Sequence, residues 1–382
     1  MLKFQLIIIK RIVYMKKMLF LAAALSSLLF AQSETETCKK CHPQIVDEFE
    51  GSMHRNATYY NDPIHKGAWD LHPLKEKGDY SCKECHAPLA KNEEEIKDGV
   101  TCASCHTIKD VEEHAAKNKN VFGKNPKTFY SAEAGREKEK VIYKQESSWF
   151  GMNKTTVGSP YHDIDYTNEK FYNGQMCMGC HSHRQNGEQL MVCETGKEGA
   201  QNKEENCITC HMPKVQGTAT TIRHSQTHAY HGFAGSHKNP EMLSKYVDLE
   251  FNKNSSGFDV IINNKAPHNL MLHPMRVVEL RVNVTSDGKV TPLKPLSFVR
   301  AIGNENGPSM PWLANQVVTD TMIKANEKKS VPYTDALKKG DKVEVQLGYY
   351  LVTPKAAEKL NIQEKKELQK FNVLKQKSFI VE

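Results

Sequence analysis

The sequence predicts a multidomain chain: a mainly α, loop-rich first part with little core of its own, then a β-sandwich-like region and a terminal helix. Three observations predict it. Between residues 38 and 211 a Cys-x-x-Cys-His pentad recurs five times. Past residue 240 cysteine vanishes, and apolar residues begin to alternate with polar ones as in half-buried strands. After Thr353, Pro354 opens TPKAAEKLNIQEKKELQKF, which reads as a helix with proline in its first turn.

The pentads read CKKCH at Cys38, CKECH at Cys82, CASCH at Cys102, CMGCH at Cys177 and CITCH at Cys207. Random placement of 11 Cys and 17 His in 382 residues gives about 0.01 such pentads, so the recurrence is no accident. Two thiols three residues apart share a face of a helical turn with the group four positions after the first. That geometry suits a haem held by two thioethers, with the imidazole turned under the ring onto the iron. Structural zinc needs a second Cys-x-x-Cys or a spaced histidine pair, and no histidine abutting the second cysteine. A redox dithiol has no reason to come in five copies. The pentads therefore predict five covalently attached haems c, on Cys38 and Cys41, Cys82 and Cys85, Cys102 and Cys105, Cys177 and Cys180, and Cys207 and Cys210. The proximal iron ligands are His42, His86, His106, His181 and His211.

Haem attachment through thioethers takes place outside the bacterial cytoplasm, and the chain start agrees. From Met15, two lysines precede an apolar run from Met18 to Phe30 and a small Ala31, the pattern of a cleaved secretory signal. Residues 1–31 read as that signal, with 1–14 as an upstream extension; the alternative is an uncleaved membrane anchor. The expected location is the periplasm. Removing residues 1–31 takes five positive charges and no acid from the net +7, leaving +2. Ten haem propionates would bring the loaded protein to about −8. Lysines alternate with glutamates, with no basic stripe interleaved with aromatics, so no nucleic-acid partner is expected.

Residues 32–240 form the expected pentahaem domain. Its pentads start 44, 20, 75 and 30 residues apart, which is no fixed period. Segments such as AKNKNVFGKNP and GREKEK read as loops or frayed helix. Residues 241–382 form the expected β-rich domain, with strands in GFDVIINN, VVELRVNV and DKVEVQLGYYLV, a hairpin turn at SDGK and a last short strand in KSFIVE.

Ligation on the far face of each iron separates a wire from an enzyme. Twelve histidines remain for five positions. His54 lies 12 residues after His42; an unbroken helix would carry it about 18 Å along the axis, so it is assigned to a neighbouring haem. His162, flanked by turn formers, is a second candidate. His224, His228 and His231 follow helical spacing, and His228 and His231 are chosen from that stripe with His237 in reserve. His268 could reach back from the β region. His65, His72 and His114 are weaker candidates, and His183 lies too close to His181 to reach the same iron. Cys193 is left over, read as a small packed residue, with iron ligation or attack on a sulfur substrate as alternatives.

CHPQIVDEFEGSMH, DGVTCASCHTI, NCITCHMPKV and THAYHGFAGSH resemble the multihaem cytochromes c related to pentahaem nitrite reductase and octahaem hydroxylamine oxidoreductase, over residues 38–237. HNLMLHPMRVVELRV is similar to the start of a β domain appended to some members. The resemblance implies closely stacked haem pairs, expected where Cys82 neighbours Cys102 and where Cys177 neighbours Cys207. The Cys-x-x-Cys-Lys pentad of the nitrite reductases is missing here, and hydroxylamine oxidoreductase carries three more haems. The expected role is an electron carrier between a membrane quinol-oxidising cytochrome and a terminal reductase. The alternative is a reductase of a small nitrogen or sulfur oxyanion, such as nitrite, hydroxylamine, sulfite or tetrathionate, at one iron with an open position.

Overall fold

A computed structural model describes residues 34–147, 154–195, 204–273 and 275–382. The expected signal segment lies outside the described residues. Among the described residues, no helix is long and apolar enough to cross a membrane.

The expectation of a mainly α first part is overturned: the described residues are 21% helical and 32% strand, with many small sheets. A pentad needs only one helical turn, and the sequence supplies little more. Thr101 caps Cys102–His106, its side chain and that of Ser104 exchanging hydrogen bonds with each other's backbone N–H. Asn206 and Thr209 do the same for Cys207–His211. The pentads at Cys82 and Cys177 end in the four-residue helices Lys83–His86 and Met178–His181. The pentad at Cys38 begins in Glu34–Lys39 and runs into Pro43–Glu50, where Pro43 sits at the first turn.

Between these turns the chain pairs as short strands. Ile108–Glu112 runs antiparallel to Lys119–Phe122, so part of AKNKNVFGKNP is strand rather than loop. Thr128–Tyr130 lies parallel to Asp163–Asp165, which also pairs with Lys140–Val141. Lys214–Gln216 pairs with Thr227–Ala229, which places His228 on a strand and ends the expected histidine-striped helix. Strands of two to five residues are too short to display a period of two.

From residue 247 onward two sheets face each other across one apolar core. The first orders Val247–Asn254, Gly257–Asn264 and Lys328–Tyr333. The second orders Lys289–Pro292, Val277–Ser286, Lys342–Tyr350 and Phe371–Ile380, with Leu296–Phe298 on the edge of Val277–Ser286. Alternate residues point inward: Leu249, Phe258, Val260 and Ile262 meet Leu280, Val282, Val343, Val345 and Leu347, all but sealed from water. At the SDGK turn Asp287 (φ 51°) and Gly288 (φ 77°) both adopt left-handed backbone, as a two-residue hairpin requires. The expected helix is shorter, Pro354–Lys359, capped by Thr353, and Asn361 turns left-handed just past it (φ 55°). The last strand is correspondingly longer, Phe371–Ile380.

The two regions are tied together. Helix Pro63–Asp70, capped by Asp62, buries Ile64 in the β core. A Cβ on Gly67 would sit 2.7 Å from the Leu360 carbonyl, so only glycine allows that approach. Tyr349 donates its hydroxyl to the Ser236 carbonyl at 2.6 Å, and Asn186 donates to the Pro311 and Ala314 carbonyls. These contacts set the loop of residues 265–273, with His268, against the pentads.

Candidate haem centres

Each pentad histidine that shows a backbone partner uses Nδ1 for it. His42 reaches the Ala219 carbonyl at 2.7 Å, His86 that of Ala57 at 2.7 Å, His106 that of Tyr130 at 2.7 Å and His211 that of Ala234 at 2.6 Å. A carbonyl only accepts, so Nδ1 carries the proton and Nε2 presents its lone pair. That tautomer is the one a metal needs.

Four of the five face another histidine. Ring centroids are 6.2 Å apart for His42 and His162, 6.3 Å for His106 and His231, 6.2 Å for His211 and His268, and 5.9 Å for His181 and His54. Two imidazoles on one metal at about 2 Å per bond place their centroids roughly 6 Å apart. The donor set fits a bis-histidine iron. His231 donates Nδ1–H to Ala229 at 2.7 Å and His268 to Asn269 at 2.9 Å, again freeing Nε2. Burial pushes His54 and His231 down to about 3, which keeps both rings neutral at physiological pH. Nδ1 of His54 and of His162 is buried with no hydrogen-bond partner.

The pentads also touch one another. The Cys38 and Cys102 thiols lie within 4.8 Å of each other, and Cys85 neighbours Cys180 as Cys177 neighbours Cys207. Cys105 lies within electrostatic range of Cys177 and Cys180. The attachment sites therefore form one connected series rather than five separate centres. Cys38 also comes close to Cys102, a neighbourhood that sequence proximity did not suggest.

Residues 37–107 match the family described as cytochrome c554 and c-prime. A penta-heme cytochrome c552 from Thermochromatium tepidum has the same fold, with a TM-score of 0.69 and 22% identity, over 92% of this chain and 99% of that one. The family match spans the first three pentads, and the fold is shared with that penta-heme cytochrome. No curated protein matches its sequence.

Several candidate ligands need correction. His228 is committed on both sides: Nδ1 contacts the Gly217 carbonyl at 3.0 Å and Nε2 the Glu48 carboxylate at 2.9 Å. The strand Thr227–Ala229 turns it away from the face on which a helix would have set it beside His231. Glu48 also accepts the backbone N–H of His231 at 2.8 Å, so the pair holds His231 rather than an iron. His65 is bound through Nδ1 to Ala57 and through Nε2 to the Tyr80 hydroxyl. His72 packs between Trp69 and Trp312. His237 accepts from Arg276 at 2.6 Å through Nε2. Cys193 is exposed on the strand Met191–Glu194 rather than packed.

The pentad at Cys82 differs from the others. Among the described residues the ring nearest His86 is His65 at 4.4 Å, too close to admit an iron between them. Around it the chain gathers His273, Arg276, His237 and Asp62. Burial lowers Arg276 to about 10 and His273 to about 3. No pattern in the sequence marked His273; its one signal is that it follows His268 by five residues in a region otherwise free of histidine.

Proposed function

We propose that this protein is a periplasmic electron carrier with five haems c, passing electrons between a membrane quinol-oxidising cytochrome and a terminal reductase. The observation that carries the reading is the set of four imidazole pairs at iron-spanning distance, set in a series of touching pentads. Haem supplies one-electron chemistry at iron, and histidine on both faces favours a low potential and closes the iron to substrates. The protein's part is to fix ten cysteine sulfurs, hold the Nδ1 proton of four pentad histidines on carbonyls, and pack the attachment sites close together. Secretion suits the reading, since haem c is joined to protein outside the cytoplasm.

A second reading, a reductase of a small nitrogen or sulfur oxyanion, has one observation in its favour. His86 lacks a facing histidine at iron-spanning distance among the described residues, and the half-buried Arg276 guanidinium lies in the same neighbourhood. Protein-film voltammetry separates the two. A carrier gives reversible one-electron waves that do not change when nitrite, hydroxylamine, sulfite or tetrathionate is added. A catalytic current with any of them would replace the carrier reading with the second.

A further inference from the structure

We infer that Phe233 is a positioning residue: its ring sets the plane of the His54 imidazole and so gives the His181 centre its near-perpendicular pair of histidines. The inference rests on the haem reading of the pentads and deepens the carrier reading by naming what orients one of its centres. Phe233 packs edge to face on His54, with ring centroids 4.1 Å apart, and its ring lies 6.2 Å from that of His231. Its neighbours serve two further centres. His231 faces His106 at 6.3 Å, and the Ala234 carbonyl accepts the Nδ1–H of His211 at 2.6 Å. The stretch from His231 to Ala234 thus touches histidines of three pentad centres.

Two observations single Phe233 out. His231 and His268 each hold their plane by an Nδ1–H bond to a carbonyl, at 2.7 and 2.9 Å. His54 Nδ1 is buried with no partner among the described residues, so no hydrogen bond there fixes its ring. The 81° between His54 and His181 is then left to packing, and the ring packed on His54 is that of Phe233. His162, whose Nδ1 also lacks a partner, likewise carries a phenylalanine, Phe129 at 4.9 Å. The second observation is the backbone. Phe233 has φ 54°, a left-handed conformation that a bulky residue rarely adopts. Gly232 and Gly235 stand close by, and neither takes it. The strained position falls on the residue whose ring meets His54, and such strain persists where the surroundings hold it for a function. The same turn leads into the Ala234 carbonyl that holds His211, so ring and backbone have to be tested apart.

Low-temperature electron paramagnetic resonance of the oxidised, haem-loaded protein tests the inference. Phe233→Gly accepts the left-handed backbone and removes only the ring. It should keep the haem count and spin states of the wild type, while the strongly anisotropic low-spin component of the His54 and His181 pair shifts toward a rhombic one. The component of the His106 and His231 pair should stay. Phe233→Tyr, which retains the flat ring, should reproduce the wild-type spectrum. Phe233→Leu keeps apolar bulk without that ring and provides a second arm should the glycine variant fold poorly; it should shift the same component. A wild type with no anisotropic component overturns the inference. So does a component left unchanged in Phe233→Gly, or in Phe233→Leu where the glycine variant does not fold. Intact mass of the wild-type sample tells a failed inference from a failed haem reading, since only the latter lowers its haem count.

Discussion

His106 and His231 face each other with ring planes 16° apart, whereas His181 and His54 stand at 81°. Near-perpendicular imidazoles leave the iron orbitals close to degenerate and give a strongly anisotropic low-spin signal; near-parallel rings give a rhombic one. Oxidised protein should therefore show both kinds of signal. His54→Ala should remove an anisotropic component, and His231→Ala a rhombic one, each replaced by high-spin iron. A single uniform low-spin signal would contradict the paired geometry.

His228→Ala should leave the number of low-spin haems unchanged, because this side chain holds Glu48 rather than iron. It should still cost stability, by about 1–3 kcal/mol, since it strips a partner from a largely buried carboxylate. Thermal melting followed at the haem absorbance checks the cost. A new high-spin haem in this variant would restore His228 as a ligand.

Gly99 adopts φ +69°, and a Cβ there would meet the Arg55 and His54 carbonyl oxygens at 2.5 and 2.6 Å. Gly99→Ala should pay about 1–2 kcal/mol for left-handed backbone, plus the displacement of the segment carrying His54. Loss of the anisotropic signal together with a lowered melting temperature is the expected result. An unaltered spectrum would show that the His54 backbone tolerates the shift.

The pentads were legible because each is local: five adjacent residues carry the whole signal. The histidines that face them were less so. His162 faces His42 and His231 faces His106 across more than a hundred residues, and no local period encodes such pairings. His228 was misread for the opposite reason. Its spacing from His224 and His231 imitates a helix, but pairing with Lys214–Gln216 makes the segment a strand. The β region was plain in its long alternating strands. The small sheets among the pentads were not, since their strands are brief and polar.

Asp165 carries a pH prediction. Its burial works to raise the carboxyl, but hydrogen bonds from Lys140 at 2.8 Å and from the hydroxyl and N–H of Thr167 outweigh it and lower it below 3.8. The folded value is below the unfolded one, so its contribution is present above pH 3.8 and is lost as pH falls through the folded value. Asp165→Asn should cost about 1–3 kcal/mol at neutral pH and flatten the acid limb of the stability profile below pH 3.8. Parallel wild-type and variant curves through that range would refute the ion pair's role.

The account as a whole rests on porphyrin joined to ten cysteine sulfurs. Intact mass of the secreted protein, read beside its visible spectrum, tests this most directly. The predicted result is a red protein heavier than its polypeptide by five haems, a mass that withstands denaturation. A folded, colourless protein with the mass of its amino acids alone would contradict it.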